Sequence, residues 1–366
     1  MSTARRQQIA WSLYDWGNSA FATTVMAGFF PIFFKQYWHS EVPPEESTFH
    51  LGIFNTAAGI VVALLAPILG AIADRAGRKK RFLTVSALGG VAATAALAGV
   101  GSGSWMAAGV LFALGIIAFE ISLIFYDALL IDVSGPDEVD WVSALGYSLG
   151  YLGGGLLFAV NVAMTLKPEF FGLADATQAV KVSFITVAVW WAVFTIPLLT
   201  GVREQLRAPM AGAATNAVRE GLRQIADTFH EIRALRPVLL FLAAYVIYID
   251  GVGTVIRMAV DFGLSLGFPS ESLIIALLIV QFVGFPAALV FGSVGKRLGP
   301  RTGIFIGLGV YMFATIWGSR MESVKEFYFL AILIGLVQGA VQSLSRSLYA
   351  RLIPPDKSGE FFGFYN

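Results

Sequence analysis

The sequence has no cysteine and only three histidines. Without cysteine, the chain forms no disulfide, no thiol nucleophile and no cysteine-ligated metal site. His39, His50 and His230 are expected outside the apolar segments, so no histidine is predicted inside a membrane span. We therefore expect neither a metal nor a cofactor, and zinc or redox chemistry is not predicted.

Charge is scarce as well. Charged residues make up 13% of the chain, whereas soluble domains contain about 25%. Hydrophobic residues make up 57%, and the mean hydropathy is +0.72. A soluble core cannot remove that much apolar surface from water, so the composition indicates an integral membrane protein. The net charge of +1 gives no sign of a nucleic-acid partner.

Apolar segments of about 18 to 25 residues are long enough to cross a bilayer as helices. About ten such spans are predicted: residues 11–37, 49–73, 82–101, 104–132, 140–165, 180–201, 237–262, 270–293, 302–319 and 325–352. The predicted fold class is therefore an all-α polytopic membrane protein embedded in a lipid bilayer.

Basic residues gather in alternate loops, at Arg5 and Arg6, at 75–81, in 203–236, at 296–301 and near Arg351 and Lys357. Basic loops stay on the cytoplasmic side, so the amino terminus is expected there, in a multi-pass protein of the bacterial inner membrane. A secretory signal is the alternative for the first span. Asp15 and Asn18 interrupt that span, which favours a retained helix.

Residues 202–236 divide the predicted spans into a first bundle of six helices (1–201) and a second, incomplete bundle of four spans (237–366). The divider contains apolar residues at helical spacing, which predicts an amphipathic helix on the inner membrane surface and a cytoplasmic linker. Those residues are Val218, Leu222, Ile225, Phe229 and Ile232.

The basic loop after the second span has the pattern G-x-x-x-D-R-x-G-R-K. It comprises Gly70, Asp74, Arg75, Gly77, Arg78 and Lys79. The pattern resembles the loop between the second and third helices of major facilitator superfamily transporters. The resemblance implies two pseudo-symmetric helical bundles, and it implies that Asp74 helps latch the inner gate against the eleventh helix.

An internal repeat agrees with that resemblance. Residues 292–301 repeat the loop motif about 220 positions later, and Pro136-Asp137 recurs as Pro355-Asp356, 219 positions on. Twelve helices are the superfamily norm, so we expect the chain to stop before an eleventh span, with two C-terminal spans missing.

Further motifs resemble the vacuole-effluxer-like family. They are YDWGNSAF at 14–21, Tyr126-Asp127 with Leu130 and Asp132, YIDGV at 248–252, QSLSRS at 342–347 and EFFGFYN at 360–366. Eukaryotic members of that family export amino acids from vacuoles. The resemblance thus implies a small-solute carrier, with amino acids and export as options.

Span five carries a glycine-rich stretch, Gly150-Tyr151-Leu-Gly153-Gly154-Gly155, which resembles a motif of exporters and antiporters. The alternative is close helix packing by small residues at Gly146, Gly150 and Gly154.

Ionisable residues inside a span cost about 2.5 to 3.5 kcal/mol each, so each one needs a reason. The candidates for a substrate or proton pathway are Asp15, Asn18, Glu120, Asp127, Asp250, Arg257, Gln342 and Arg346. Glu120 is the first choice for a proton carrier, because carboxylates alone remain once histidine is excluded. Each of three candidates also has a structural interpretation. Asp15 could lie at the membrane interface, and Asp250 could serve helix packing. Arg257 could form a structural ion pair with Asp261.

The repeat suggests a gate. A shift of 219 positions places Asp127 on Arg346 and Asp132 on Arg351. We hypothesise that these two pairs close the cytoplasmic gate. Local pairing with loop charges such as Arg75 is the alternative for Asp132 and Arg351.

Taken together, these patterns predict a monomeric secondary transporter that moves a small molecule by alternating access, with proton coupling as an option. The sequence lacks the G-x-x-x-x-G-K-S/T loop that binds ATP phosphates, so a gradient would supply the energy. An intramembrane enzyme acting on lipid and a non-transporting receptor are the alternatives, and no catalytic residue is predicted.

Overall fold

The computed structural model describes residues 2–204, 232–233 and 235–366. Within these ranges the chain forms helices and no strand. The helices are α1 Thr3–Trp38, α2 Pro44–Ala76, α3 Lys79–Leu97, α4 Trp105–Val133, α5 Val139–Leu166, α6 Ala176–Gly201, α7 Arg236–Ser265, α8 Ser270–Leu298, α9 Pro300–Gly318, α10 Val324–Leu352 and α11 Ser358–Tyr365. The amphipathic helix predicted in 202–236 lies mainly outside the described residues.

Eight of the described helices are long and apolar enough to cross a membrane. The shorter helices α3 and α9, with 19 residues each, are not among them, so this criterion does not confirm a count of about ten spans. The predicted helix bounds agree with the structure to within a few residues for most spans. The largest difference is at α1, which begins at Thr3 instead of residue 11.

Helix α1 is continuous over 36 residues but contains two π-helical segments, Phe21–Phe29 and Phe34–Trp38. In such segments each N–H bonds to the carbonyl five residues earlier, as His39 does to Phe34 at 2.8 Å. Pro31 lies between the two segments and has no N–H to donate. The wider turns change which residues of α1 face the neighbouring helices.

Glycines on α5 bring it against α1. A Cβ atom at Gly150 would lie 2.6 Å from Ser19 Oγ, and one at Gly154 would lie 3.0 Å from the Ser19 carbonyl oxygen. A side chain at either position would therefore push the helices apart. This geometry agrees with the packing interpretation of the glycine motif.

Helices α1 to α6 pack on one another, with α1 against α5 and α6, and α3 between α4 and α6. Helices α7, α8 and α9 gather around α10. Helix α8 also packs along α5, and α10 contacts α5, so α5 joins the two groups. Since successive helices alternate in direction, the loops around 77–78, 134–138 and 353–357 share one end with the amino terminus. We call this the basic end.

The start of α3 is tied to the segment after α6 at the basic end. The Lys80 N–H donates to Glu204 at 3.0 Å, and its ammonium donates to the carbonyls of Leu199 and Val202 at 2.8 Å each. Burial raises the pKa of the Glu204 carboxyl, while the Lys80 N–H and the charges of Lys79 and Lys80 oppose that change.

Residues 358–365 form the short helix α11, which packs against α2 and α4. With eight residues it is too short to cross a bilayer, so the expected lack of an eleventh span stays a prediction. One expectation is corrected: His50 does lie in a span, because it belongs to α2, near the end opposite the basic end. Its Nδ1 lies 2.9 Å from His39 Nε2, and both rings stack on Trp105.

Helix α11 approaches α2 so closely that only glycine fits between them. A Cβ atom at Gly70 would lie 2.2 Å from the Gly359 carbonyl oxygen, whereas one at Gly59, on the same helix, meets no atom within 4 Å. We expect Gly70→Ala to destabilise the protein by about 1 to 3 kcal/mol through overpacking. Gly59→Ala should leave stability unchanged or raise it slightly, since alanine favours helix.

Thermal unfolding of both variants in the same detergent would measure the difference. Equal unfolding temperatures for Gly70→Ala and Gly59→Ala would contradict the close contact between α2 and α11.

Candidate functional site

A buried arginine joins four helices in the half of the molecule toward the basic end. Arg346 of α10 is 1% exposed. Its Nη1 donates to Asp127 Oδ1 of α4 at 2.8 Å, and its Nε and Nη2 donate to the Oγ and the carbonyl oxygen of Ser143 of α5 at 2.9 and 2.8 Å. Asp15 Oδ2 of α1 lies 3.9 Å from Nη1. We call Arg346, Asp127, Asp15 and Ser143 the charge cluster.

Aromatic rings enclose the guanidinium. Its central carbon lies 4.3 Å from the centroid of the Tyr147 ring, 5.0 Å from that of Trp11 and 5.3 Å from that of Tyr126. A desolvated guanidinium over ring faces gains cation–π attraction. The sequence did not indicate these partners, because aromatic residues are too frequent in the chain for any one to stand out.

The approach of α5 to Arg346 again depends on a glycine. A Cβ atom at Gly146 would lie 2.7 Å from Tyr126 Oη and 3.1 Å from Arg346 Nη2. A side chain there would displace the arginine or the tyrosine. The glycines of α5 thus serve both its packing on α1 and the geometry of the charge cluster.

Asp15 is part of the charge cluster. It is 5% exposed, it accepts a hydrogen bond from Tyr126 Oη at 3.1 Å, and Ser19 Oγ lies 3.5 Å from its other oxygen. The Asp15 carboxyl is therefore buried among helices, and the interfacial alternative for it stays a hypothesis. Asn18 is also buried, at 1% exposure, but it makes none of the cluster contacts described above.

The other pathway candidates lie around the cluster or away from it. Glu120 is half-buried on α4 and acts electrostatically on Tyr147. Gln342, one turn before Arg346, accepts a hydrogen bond from Tyr151 Oη at 3.4 Å. Asp250 on α7 is exposed and is not in the cluster. The side chain of Arg257 lies outside the described part of the chain.

At the basic end, Asp74 binds the first turn of α11. Its two carboxylate oxygens accept the N–H groups of Gly359 at 3.1 Å and Glu360 at 2.8 Å. The first N–H groups of a helix have no partner within the helix and carry partial positive charge, so a carboxylate stabilises them. Asp74 therefore contacts the eleventh helix, as the resemblance implied.

The rest of the loop motif supports this contact. Lys79 donates to Ser358 Oγ at 2.6 Å and lies 3.9 Å from Asp74 Oδ1. Gly77 ends α2 with φ of 58°, a left-handed conformation that favours glycine. Arg75 lies in the last turn of α2, and Arg78 is exposed.

The second predicted gate pair is wrong. Arg351 Nη2 donates to Asp140 Oδ2 at 2.6 Å, and Asp132 instead pairs with Lys79 at 3.3 Å. The repeat relates sequence positions but does not determine the direction in which a side chain points. A partner for Asp132 in the basic loop was the alternative, although Lys79 and not Arg75 supplies it. The acidic first turn of α5 was the signal for Asp140 that sequence reasoning overlooked.

A further ion pair joins the two groups of helices at the opposite end. Lys35 of α1 pairs with Asp261 of α7, and Thr48 Oγ of α2 lies 3.5 Å from the same carboxylate oxygen. Sequence reasoning had considered Arg257 as the partner of Asp261. Contacts between the groups therefore exist at the basic end, in the charge cluster and at the opposite end.

Comparison with known proteins identifies relatives over the whole chain. The family model described as "Vacuole effluxer Atg22 like" matches residues 53–137 and 132–366. An uncharacterized MFS-type transporter, YxiO of Bacillus subtilis, is 36% identical over 100% of this chain and 85% of its own length. Autophagy-related protein 22-1 of Aspergillus niger is 26% identical over 61% of this chain, an alignment that covers 39% of the fungal protein.

Solved structures show the same fold. The human organic anion transporter MFSD10 (TETRAN) superposes with a TM-score of 0.71 at 15% identity, covering 100% of this chain and 90% of that one. The proton:xylose symporter XylE gives a TM-score of 0.69 at 13% identity, covering 99% and 84%. At these identities the likeness establishes the architecture alone.

The fold, the loop motif with its contact to α11 and the matches along the whole sequence agree with one another. The chain is an integral, multi-pass membrane protein whose relatives are transporters and not enzymes. It belongs to the Atg22-like vacuole effluxer family of the major facilitator superfamily.

Proposed function

We propose that the protein is a secondary active transporter that carries a small solute across the membrane by alternating access. The observation that carries this proposal is the buried Arg346–Asp127 pair, which links α10 of the second group of helices to α4 of the first. A membrane protein keeps a desolvated ion pair at such a place at a cost in stability, so the pair needs a functional reason.

The two moving bodies are residues 1–201 and 237–366, joined by the linker at 202–236. With the basic end in the cytoplasm, three contacts form the inner gate: Asp127 with Arg346, Asp74 with α11, and Asp140 with Arg351. A buried ion pair opens at modest net cost, because rehydration of the charges offsets much of the lost attraction. The Lys35–Asp261 pair would be the corresponding outer contact.

The chemistry of the charge cluster favours a substrate that carries one positive and one negative charge. Asp15, Asp127 and Arg346 present carboxylate and guanidinium groups together, and Tyr147 and Gln342 add polar atoms nearby. An amino acid has complementary amino and carboxylate groups. The family description, vacuole effluxer, supports export. The two carboxyl groups of the charge cluster support coupling to protons.

Transport in proteoliposomes tests this proposal. We expect the purified protein to exchange a radiolabelled amino acid across the vesicle membrane, and a pH gradient to drive its accumulation. A panel of amino acids, sugars and nucleosides would identify the preferred class. Empty vesicles and the Asp127→Asn variant are the controls. Chemical conversion of any of these compounds, or no movement of any of them, would contradict the proposal.

The gate pair gives a second prediction. Removing one partner of a buried pair costs about 3 to 5 kcal/mol, since it leaves an uncompensated charge. We therefore expect Asp127→Arg and Arg346→Asp, each alone, to lose most transport. The double variant should recover part of it, because opposite charges again face each other. Exchange rates normalised to the amount of folded protein measure this recovery. A folded double variant that is as inactive as the single variants would contradict the gate hypothesis.

The Asp74 contact gives a third prediction. Because the sequence has no cysteine, Ser358→Cys introduces a single thiol at the first residue of α11, where the side chain is buried. Asp74→Asn removes the negative charge beside the N-terminus of α11. The lost interaction destabilises this contact by about 1 to 2 kcal/mol. The rate of labelling with a maleimide should then rise about 5- to 30-fold.

Asp137→Asn is the matched control, because Asp137 is exposed in the neighbouring loop of the basic end. It should leave the rate of labelling at residue 358 unchanged. Equal rates in the Asp74→Asn and Asp137→Asn backgrounds would show that Asp74 does not hold α11.

A further inference from the structure

The charge cluster contains one carboxylate more than it has cations. Asp15 and Asp127 are 8% and 4% exposed at their side chains, and both face the single guanidinium of Arg346, which is 1% exposed. Among the described side chains, no other cation forms an ion pair with either carboxylate. With both carboxylates ionised, the cluster has a net charge of −1, and each of its three charged side chains is at most 8% exposed.

A buried, uncompensated charge is expensive, so groups in such surroundings take up a proton to become neutral. One proton balances this cluster. The contacts around the two carboxylates differ, and they indicate where that proton resides.

Asp127 is bound as a carboxylate. Arg346 Nη1 donates to its Oδ1 at 2.8 Å, and Asn366 Nδ2 lies 3.3 Å from its Oδ2. The guanidinium can only donate, and the Asn366 amide donates to the second oxygen, so a proton on Asp127 would compete with one of these two bonds.

Asp15 has partners of another kind. The guanidinium is 3.9 Å away, and its hydrogen-bonding neighbours are the hydroxyls of Tyr126 and Ser19. A hydroxyl either donates or accepts, so it bonds equally well to a protonated carboxyl group. Helix α5 covers this carboxyl through Gly150. The Tyr147 and Tyr151 hydroxyls of α5 and the Tyr14 hydroxyl of α1 are further titratable groups that interact with it.

We propose that Asp15 is the proton-binding residue of this transporter and that its proton keeps Arg346 on Asp127. This inference rests on the proposed alternating access and adds the coupling to it. When the Asp15 carboxyl releases its proton, the two carboxylates of Asp15 and Asp127 compete for one guanidinium. Arg346 then moves toward Asp15, its bond to Asp127 weakens, and the inner gate opens.

Glu120, the carboxylate first expected to carry the proton, lies outside this arrangement. It is half-buried on α4, two turns before Asp127, and it is not one of the two carboxylates that face Arg346 in the ion pairs of the cluster. Glu120→Gln makes the same change from a carboxyl to an amide at this second position. It is therefore the matched control for Asp15→Asn.

Spin labels at the basic end test the proposal without any substrate. Asp137 and Arg297 are exposed on the two moving bodies, and the absence of cysteine permits a unique label at each after Asp137→Cys and Arg297→Cys. We expect the distance between the labels, measured by double electron–electron resonance in lipid nanodiscs, to shift to longer values from acidic to alkaline pH.

With Asp15→Asn, which resembles the protonated carboxyl, the distance should stay short at every pH. With Glu120→Gln, it should lengthen as in the parent protein. A pH response that persists in Asp15→Asn, disappears in Glu120→Gln or is absent from the parent would overturn the proposal.

Infrared difference spectroscopy provides a second measurement. The parent protein should show the carbonyl band of a protonated carboxyl group that disappears on alkalinisation. That band should vanish in Asp15→Asn and shift in Asp15→Glu, which keeps a titratable group and covers the case in which Asp15→Asn fails to fold. An unchanged band in Asp15→Glu would also overturn the proposal.

Neither measurement uses a transported solute. If the proteoliposome panel shows no transport while the label distance and the carbonyl band respond as expected, the proton site stands and the proposed transport activity fails.

Discussion

The bonds of the Arg346 guanidinium are the interaction on which the packing of α10 against α4 and α5 depends. A cation buried to 1% exposure needs hydrogen-bond partners, and here they come from other helices: Asp127 from α4 and both oxygens of Ser143 from α5. Meeting those distances defines how α10 lies against α4 and α5. The aromatic rings around the guanidinium shield it from solvent and add cation–π attraction.

The contacts between the two groups of helices differ in chemistry along the molecule. At the basic end, a carboxylate holds the backbone N–H groups of α11, and Arg351 binds Asp140. In the charge cluster, the Arg346–Asp127 pair is fully buried. At the opposite end, Lys35 and Asp261 pair side chain to side chain. The polar contacts at both ends suit the proposed alternating access, in which these surfaces separate and meet again.

Small residues decide how closely the helices approach. The absence of a side chain leaves room for the Arg346 side chain at Gly146 and for Ser19 and the Asp15 carboxyl at Gly150. At Gly70 it leaves room for the backbone of α11. In a membrane, apolar side chains gain little by leaving lipid for protein, so close backbone approach and polar contacts supply much of the packing energy. The same glycines therefore support the fold and determine the distances within the charge cluster.

Much of this architecture was predictable from the sequence. Hydropathy and length located the helices, since both are local properties. The resemblance of the G-x-x-x-D-R-x-G-R-K motif implied the contact of Asp74 with the eleventh helix, which the structure shows. The 219-residue repeat paired Asp127 with Arg346, which the structure places in contact.

The remaining contacts were decided by the tertiary structure alone. The same repeat mispaired Asp132 and Arg351, placed nothing around Asp15 and did not relate Lys35 to Asp261. The physical reason is that a pattern along the chain determines which face of a helix is polar. The rotation of each helix and its distance from its neighbours depend on packing between segments far apart in sequence, and these decide which carboxylate reaches which cation.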